Sequence, residues 1–164
     1  MLFRHPALRR ADLSPLRPHL LARSPLPAAA LAAIAGHLTS LRPWSPPAPG
    51  ATRLLAGAGV EVWLRAWAPG ERLAAHDHGG AVGAFAVVEG ALVEECLDLT
   101  MWTTCRRTTF PAGSRSCFGP GHVHLLAAAG GAPALSVHAA SPPGRPLRFG
   151  PGASRPPEPA TAAR

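Results

Sequence analysis

Between residues 52 and 140 the apolar positions come in short runs. Turn-forming pairs and triplets cut them: Pro69-Gly70, Gly79-Gly80, Glu89-Gly90, Pro111-Ala112-Gly113, Gly119-Pro120-Gly121 and Gly130-Gly131. The runs at 60–68, 81–88, 91–97, 108–110, 123–128 and 134–139 predict strands, and the longer interval from Gly90 to Pro111 has room for two. Short strands separated by turn signals about every ten residues predict an all-β barrel or a double-sheet jelly roll. Upstream the period changes. Leu31, Ile34, Leu38 and Leu41 follow a proline-marked start at 24–27, which predicts one amphipathic helix over 28–41 packed on the domain. Residues 1–23 are rich in Arg, Pro and Leu without a period and read as a basic arm. The folded domain is expected over 24–150, and the Pro/Ala-rich stretch 151–164 as a disordered tail.

The chain has 164 residues, which fits one domain with a real core. With 17 glycines and 20 prolines it is turn-rich, and this counts against a helix bundle. No apolar run approaches the ~20 residues of a membrane helix. The net charge of +7 invites a nucleic-acid reading, but its distribution argues against one. Five arginines face only Asp12 in residues 1–23, and four face only Glu158 in 142–164. The stretch between has seven arginines and seven acids, so no basic face is expected on the folded part. Three cysteines, Cys96, Cys105 and Cys117, form no CxxC pair and suit a reducing compartment. The first residues lack an apolar signal core. The expected setting is the cytoplasm, and the expected state a monomer without nucleic-acid or membrane partners.

Five of the eight histidines, His76, His78, His122, His124 and His138, fall in the β region. His76 and His78 are two apart, so on a strand both imidazoles point to one face and can reach one metal ion. Asp77 then faces away. Alone, a His-x-His pair equally describes two surface or hydrogen-bonded histidines. The spacing around it adds more. Gly70, His76, His78, Gly83 and Gly90 resemble the first sequence motif of the cupins, small β-barrels with a metal in the mouth. Gly113, Gly119, Gly121, His124 and Ala128 resemble the second, although proline usually stands in the place of Gly119 and asparagine in that of Ala128. This register selects His124 as the third ligand and leaves His122 on the rim.

The glutamate that most metal cupins place after the His-x-His pair is missing from 79–83. Three neutral imidazoles leave the full metal charge for incoming anions, and a thiolate suits such a site. Zinc hydrolysis is also compatible with three histidines and open positions.

Trp67-Ala68-Pro69-Gly70, His76-Asp77-His78-Gly79, the run 83–90 and the close Ser136-Val137-His138-Ala139-Ala140-Ser141-Pro142-Pro143 resemble the cysteine dioxygenase family, from about Arg53 to Phe149. The resemblance implies a mononuclear Fe(II) cofactor on His76, His78 and His124. It also implies a small thiol, L-cysteine or a relative, oxidised with O2 to the sulfinic acid. Arg53 stands where the family grips the substrate carboxylate, a task suited to the guanidinium fork. Ser136 and His138 match the outer part of a catalytic Ser-His-Tyr relay. The chain departs from the family at the inner end. Ala140 replaces the relay tyrosine in a chain without tyrosine, Gly83 stands at the position that crosslinks to that tyrosine in animal enzymes, and Leu125 replaces a frequent aspartate. The thinned surroundings keep a second reading open, a non-catalytic or weakly active metal-binding cupin serving as a sensor or interaction module. A third is a cupin with zinc or another metal and different chemistry.

Overall fold

The computed structural model describes residues 2–23, 25–41, 44, 48–57, 59–144 and 148–149, the last pair as backbone. The strands are β1 (Phe3–Arg4), β2 (Gly50–Ala56), β3 (Glu61–Trp67), β4 (Ala75–His76), β5 (Val82–Glu89), β6 (Ala91–Asp98), β7 (Thr103–Pro111), β8 (Arg115–Phe118), β9 (His124–Ala128), β10 (Ala134–Ser141) and β11 (Arg148–Phe149). Two helices precede most of them, α1 (Arg17–Leu20) and α2 (Ala28–Ser40). The strands form a six-stranded sheet in the order β1-β2-β3-β10-β5-β8 and a five-stranded sheet in the order β11-β4-β9-β6-β7. Every pairing is antiparallel. Two sheets closed over a shared interior make the double-stranded β-barrel that the strand spacing predicts.

Alternation decides which residues meet. On β5 and β10, Ala84, Ala86, Val88, Leu135, Val137 and Ala139 face outward from the barrel, where α2 covers them with Leu31, Ile34, Ala35 and Leu38, and Val62 and Leu64 of β3 extend the same core. These four helix residues are wholly buried, and each large one contributes roughly 1.5–3 kcal/mol of transfer free energy. The helix follows Pro27, which is extended at φ −69° and ψ 156° and so ends the preceding loop without entering the helix. The residues between them, Trp67, Phe85, Val87 and Ala134, point into the barrel with Leu92, Leu126 and Ala128 of the smaller sheet.

The segment expected as an arm is docked on the barrel. Leu8, Leu16 and Leu20 are buried in the same core as α2, β1 pairs with β2, and His37 Nε2 lies 2.9 Å from the Asp12 carbonyl. Its leucines lack a period because two single-turn 3-10 helices and α1 bury them one at a time. The tail expected at 151–164 lies outside the described residues.

Two glycines shape the barrel near its interior. Gly90 closes the β5–β6 hairpin at φ +69°, and a Cβ there would lie 2.5 Å from the Pro133 carbonyl oxygen. Gly83 sits opposite Phe118 on β8, and a Cβ there would lie 2.1 Å from a ring carbon of Phe118. The missing side chain lets that ring lie flat on β5.

Candidate metal centre

The mouth of the barrel gathers imidazoles. His124 is the first residue of β9 and pairs directly with His76 on β4. His78 follows two residues later, just past the short strand. Ring centroids are 5.3 Å apart for His76–His78, 4.8 Å for His76–His124 and 4.9 Å for His78–His124. One nitrogen from each of the three lies within 4.8 Å of the others.

The hydrogen bonds decide which nitrogen each ring presents. His124 Nδ1 lies 2.7 Å from Glu94 Oε1, and a carboxylate can only accept, so Nδ1 carries the proton. Its Nε2 then keeps the lone pair, and that atom is buried without a hydrogen-bond partner. His76 Nδ1 lies 2.9 Å from the Ala74 carbonyl, which likewise can only accept, leaving its Nε2 free of the proton. His78 has a buried Nδ1 without a hydrogen-bond partner. Burial, reinforced by the neighbouring imidazoles, pushes His78 down to about 3, and burial also lowers His124. Neutral rings with oriented lone pairs and unpartnered buried nitrogens fit a divalent transition metal such as Fe(II) or Zn(II).

Glu94 is the residue that motif spacing misses. It is 1% exposed, and its Oε1 also accepts from His122 Nε2 at 3.1 Å. Burial pushes its carboxyl up, but the hydrogen bonds of His122 and His124 outweigh this and hold it at about 2. Its remaining oxygen faces Arg106 at 3.7 Å. A signal was present in the sequence: β6 alternates, and Leu92, Glu94 and Cys96 share its inward row. An acid in an apolar row must have a polar partner inside. His122 is thereby committed to Glu94, and its ring stacks on Phe118 at 4.8 Å and 18°. The structure brings His124, not His122, to His76 and His78.

Beside the triad lies a cavity of about 170 Å³, lined by residues including Glu61, Trp63, His138, Ala140 and Phe118 along with His76 and His78. Phe118 packs 4.3 Å from His78, centroid to centroid, in the place that Gly83 leaves open. Ser136 and His138 are joined, with Oγ 2.7 Å from His138 Nε2. The Trp67 indole N–H donates to the same Oγ at 2.8 Å. Burial pushes His138 down to about 3, so it is a neutral ring that can both donate and accept. Ala140 borders the cavity two residues on.

Arg53 is placed differently from the triad. It lies on β2, its guanidinium 3.4 Å from Glu61 Oε1 and over the rings of Phe3 at 5.0 Å and Trp63 at 5.7 Å. Its side chain is 45% exposed, and it is not among the residues lining the cavity. The three cysteines are all free thiols. Among the described residues no helix is long and apolar enough to cross a membrane.

The family described as cysteine dioxygenase type I matches residues 49–148. No curated protein matches the chain. Among solved structures, a conserved Klebsiella pneumoniae protein with a double-stranded β-helix domain superposes with a TM-score of 0.54. The match covers 67% of this chain and 90% of that one at 22% identity. A Bacillus halodurans protein gives 0.55 over 66% of this chain and 88% of its own, at 16% identity. A cupin domain from Schizosaccharomyces pombe gives 0.51 over 61% and 68%, at 8% identity. These likenesses establish the cupin fold.

Proposed function

The chain belongs to the cysteine dioxygenase type I family, and from that premise we propose that it oxidises a small thiol, cysteine or a close relative, with O2 to the sulfinic acid. Both oxygen atoms enter the product, so thiolate and O2 balance to sulfinate without an external reductant. His76, His78 and His124 would hold Fe(II), which when bound supplies the redox chemistry that lets O2 react with a thiolate. The observation that carries the reading is the acceptor-only oxygen beside Nδ1 of both His76 and His124, which assigns the proton to Nδ1 and turns the Nε2 lone pairs over to a metal.

The other residues act on the substrate's surroundings. Phe118 and Trp63 supply apolar walls that keep water off the reacting sulfur. His138, held by Ser136 and through it by Trp67, offers one fixed polar nitrogen to the bound molecules. The reaction is assigned to the cytoplasm, in keeping with three free thiols, and to a monomer acting on free thiol and O2.

A second reading rests on Ala140. It leaves the relay without its inner hydroxyl, which favours a metal-binding cupin of low or no activity. Oxygen consumption after anaerobic Fe(II) loading separates the two. The dioxygenase reading expects one O2 consumed per sulfinate formed. Full iron occupancy with no sulfinate from any small thiol would leave the binding protein.

A further inference from the structure

Resting on that reading, we infer that the thiol this site selects is a short aminothiol without a carboxylate, its ammonium group received by Glu61 and the face of Trp63. Both residues stand on β3 and line the cavity that opens on His76 and His78. Glu61 pairs across the sheet with Ala140, and Trp63 with His138. The space left by the absent tyrosine is therefore bordered by a carboxylate. An ammonium group there gains Coulomb attraction from Glu61 and cation–π attraction from the indole.

The same wall disfavours a carboxylate. Among the described residues no arginine lines the cavity, and the chain contains no lysine. Arg53, on the neighbouring strand, is paired with Glu61 and packed over Phe3 and Trp63. Arg65, two residues beyond Trp63, lies over the Trp67 ring at 4.5 Å and is paired with Glu71. A carboxylate entering the cavity would meet the like charge of Glu61, which lines it, whereas the forks of Arg53 and Arg65 are turned to Glu61 and Glu71. Arg53 thus faces Glu61 from outside the cavity.

The test is calorimetric titration of the anaerobic, metal-loaded protein with cysteamine, cysteine and 3-mercaptopropionate, alongside sulfinate formation from each. Binding should rank in that order, with cysteamine at least about tenfold tighter than 3-mercaptopropionate, the size of one charged hydrogen bond at the lower end. Glu61→Gln should weaken cysteamine by about tenfold and leave 3-mercaptopropionate no weaker. Arg53→Ala should not weaken cysteamine. The inference is overturned if 3-mercaptopropionate or cysteine binds tighter than cysteamine; loss of that preference in Arg53→Ala would then show that Arg53 grips a carboxylate. The ranking on the native protein decides the matter even where a variant fails to fold. Binding in the expected order without sulfinate would remove the dioxygenase reading and keep the pocket's selectivity. Sulfinate formed in the reverse order would do the opposite.

Discussion

The six-stranded sheet presents Val62, Leu64, Ala86, Val88, Val137 and Ala139 to the helix α2 and the docked N-terminal segment. Its other face carries Glu61, Trp63, Phe85, Ser136 and His138 into the barrel. The outer core is almost entirely aliphatic and closed by leucines of the first forty residues. The inner one is small, holding seven buried residues of which Trp67 and Phe85 are the aromatic ones, and gives way at one end to imidazoles. Neighbouring residues on one strand thus serve opposite ends. A row that only needs to exclude water can be any well-packed aliphatic set. A row that must present lone pairs needs particular residues at particular positions, and it is stabilised by the other face.

If this division is right, variants on the two faces separate stability from metal binding. The largest effect is expected at His124. His124→Ala should abolish iron binding, a loss well beyond the ~10–100-fold of an outer hydrogen-bond partner. His122→Ala should retain most of the iron, because His122 bonds Glu94 and not the triad. Metal analysis after dialysis reads both, and retention in His124→Ala would put the centre elsewhere.

On the outer face, Ile34→Ala should cost about 2–5 kcal/mol in denaturant unfolding, as for large-to-small changes at fully buried positions. Its metal affinity below the unfolding transition should match the parent. A variant that lost metal while still folded would show that the two faces are coupled.

Glu94 is the inner residue on which the division can be sharpened. Glu94→Gln can still accept from His124 but brings no charge, so a weakening of about 10–100-fold in a chelator competition is expected. An unchanged affinity would mean that the His124 ring is oriented by packing alone.

The smallest change is expected from filling the cavity. Ala140→Tyr would place a hydroxyl beside His138 and should raise the rate of sulfinate formation by roughly tenfold if the ring fits. Overpacking could cost ~1–3 kcal/mol, so the melting temperature is measured together with the rate. A folded, iron-loaded variant without a gain would favour the binding-protein reading.

Much of this was legible beforehand. The strands expected at 60–68, 81–88, 91–97 and 134–139 appear within a residue or two as β3, β5, β6 and β10, because they alternate and glycine or proline turns bound them. The helix expected over 28–41 is α2. The strands β2 and β8 were not legible. β2 is an edge-side strand half exposed along its first residues, and β8 has four residues with little apolar content. β8 finds its partner in β5, with β6 and β7 between them in the chain, whereas β2 forms a hairpin with the adjacent β3. The docked arm escaped notice for a related reason: its leucines are anchored one by one to a surface that the sequence does not display.

The sequence by itself determined the alternation that makes a barrel, the His-x-His pair, and the register that puts His124 two residues beyond His122. These are local spacings, and backbone geometry converts them directly into faces. Only the tertiary structure decided that Glu94 reaches His124 from β6, that Phe118 fills the place Gly83 leaves open, and that Arg53 is engaged by Glu61 at the cavity's edge. Each of these depends on which strand lies beside which and on how far a side chain reaches across the gap. For Glu94 and Phe118 that information resides in the pairing of distant segments, and for Arg53 in the register of the β2–β3 hairpin.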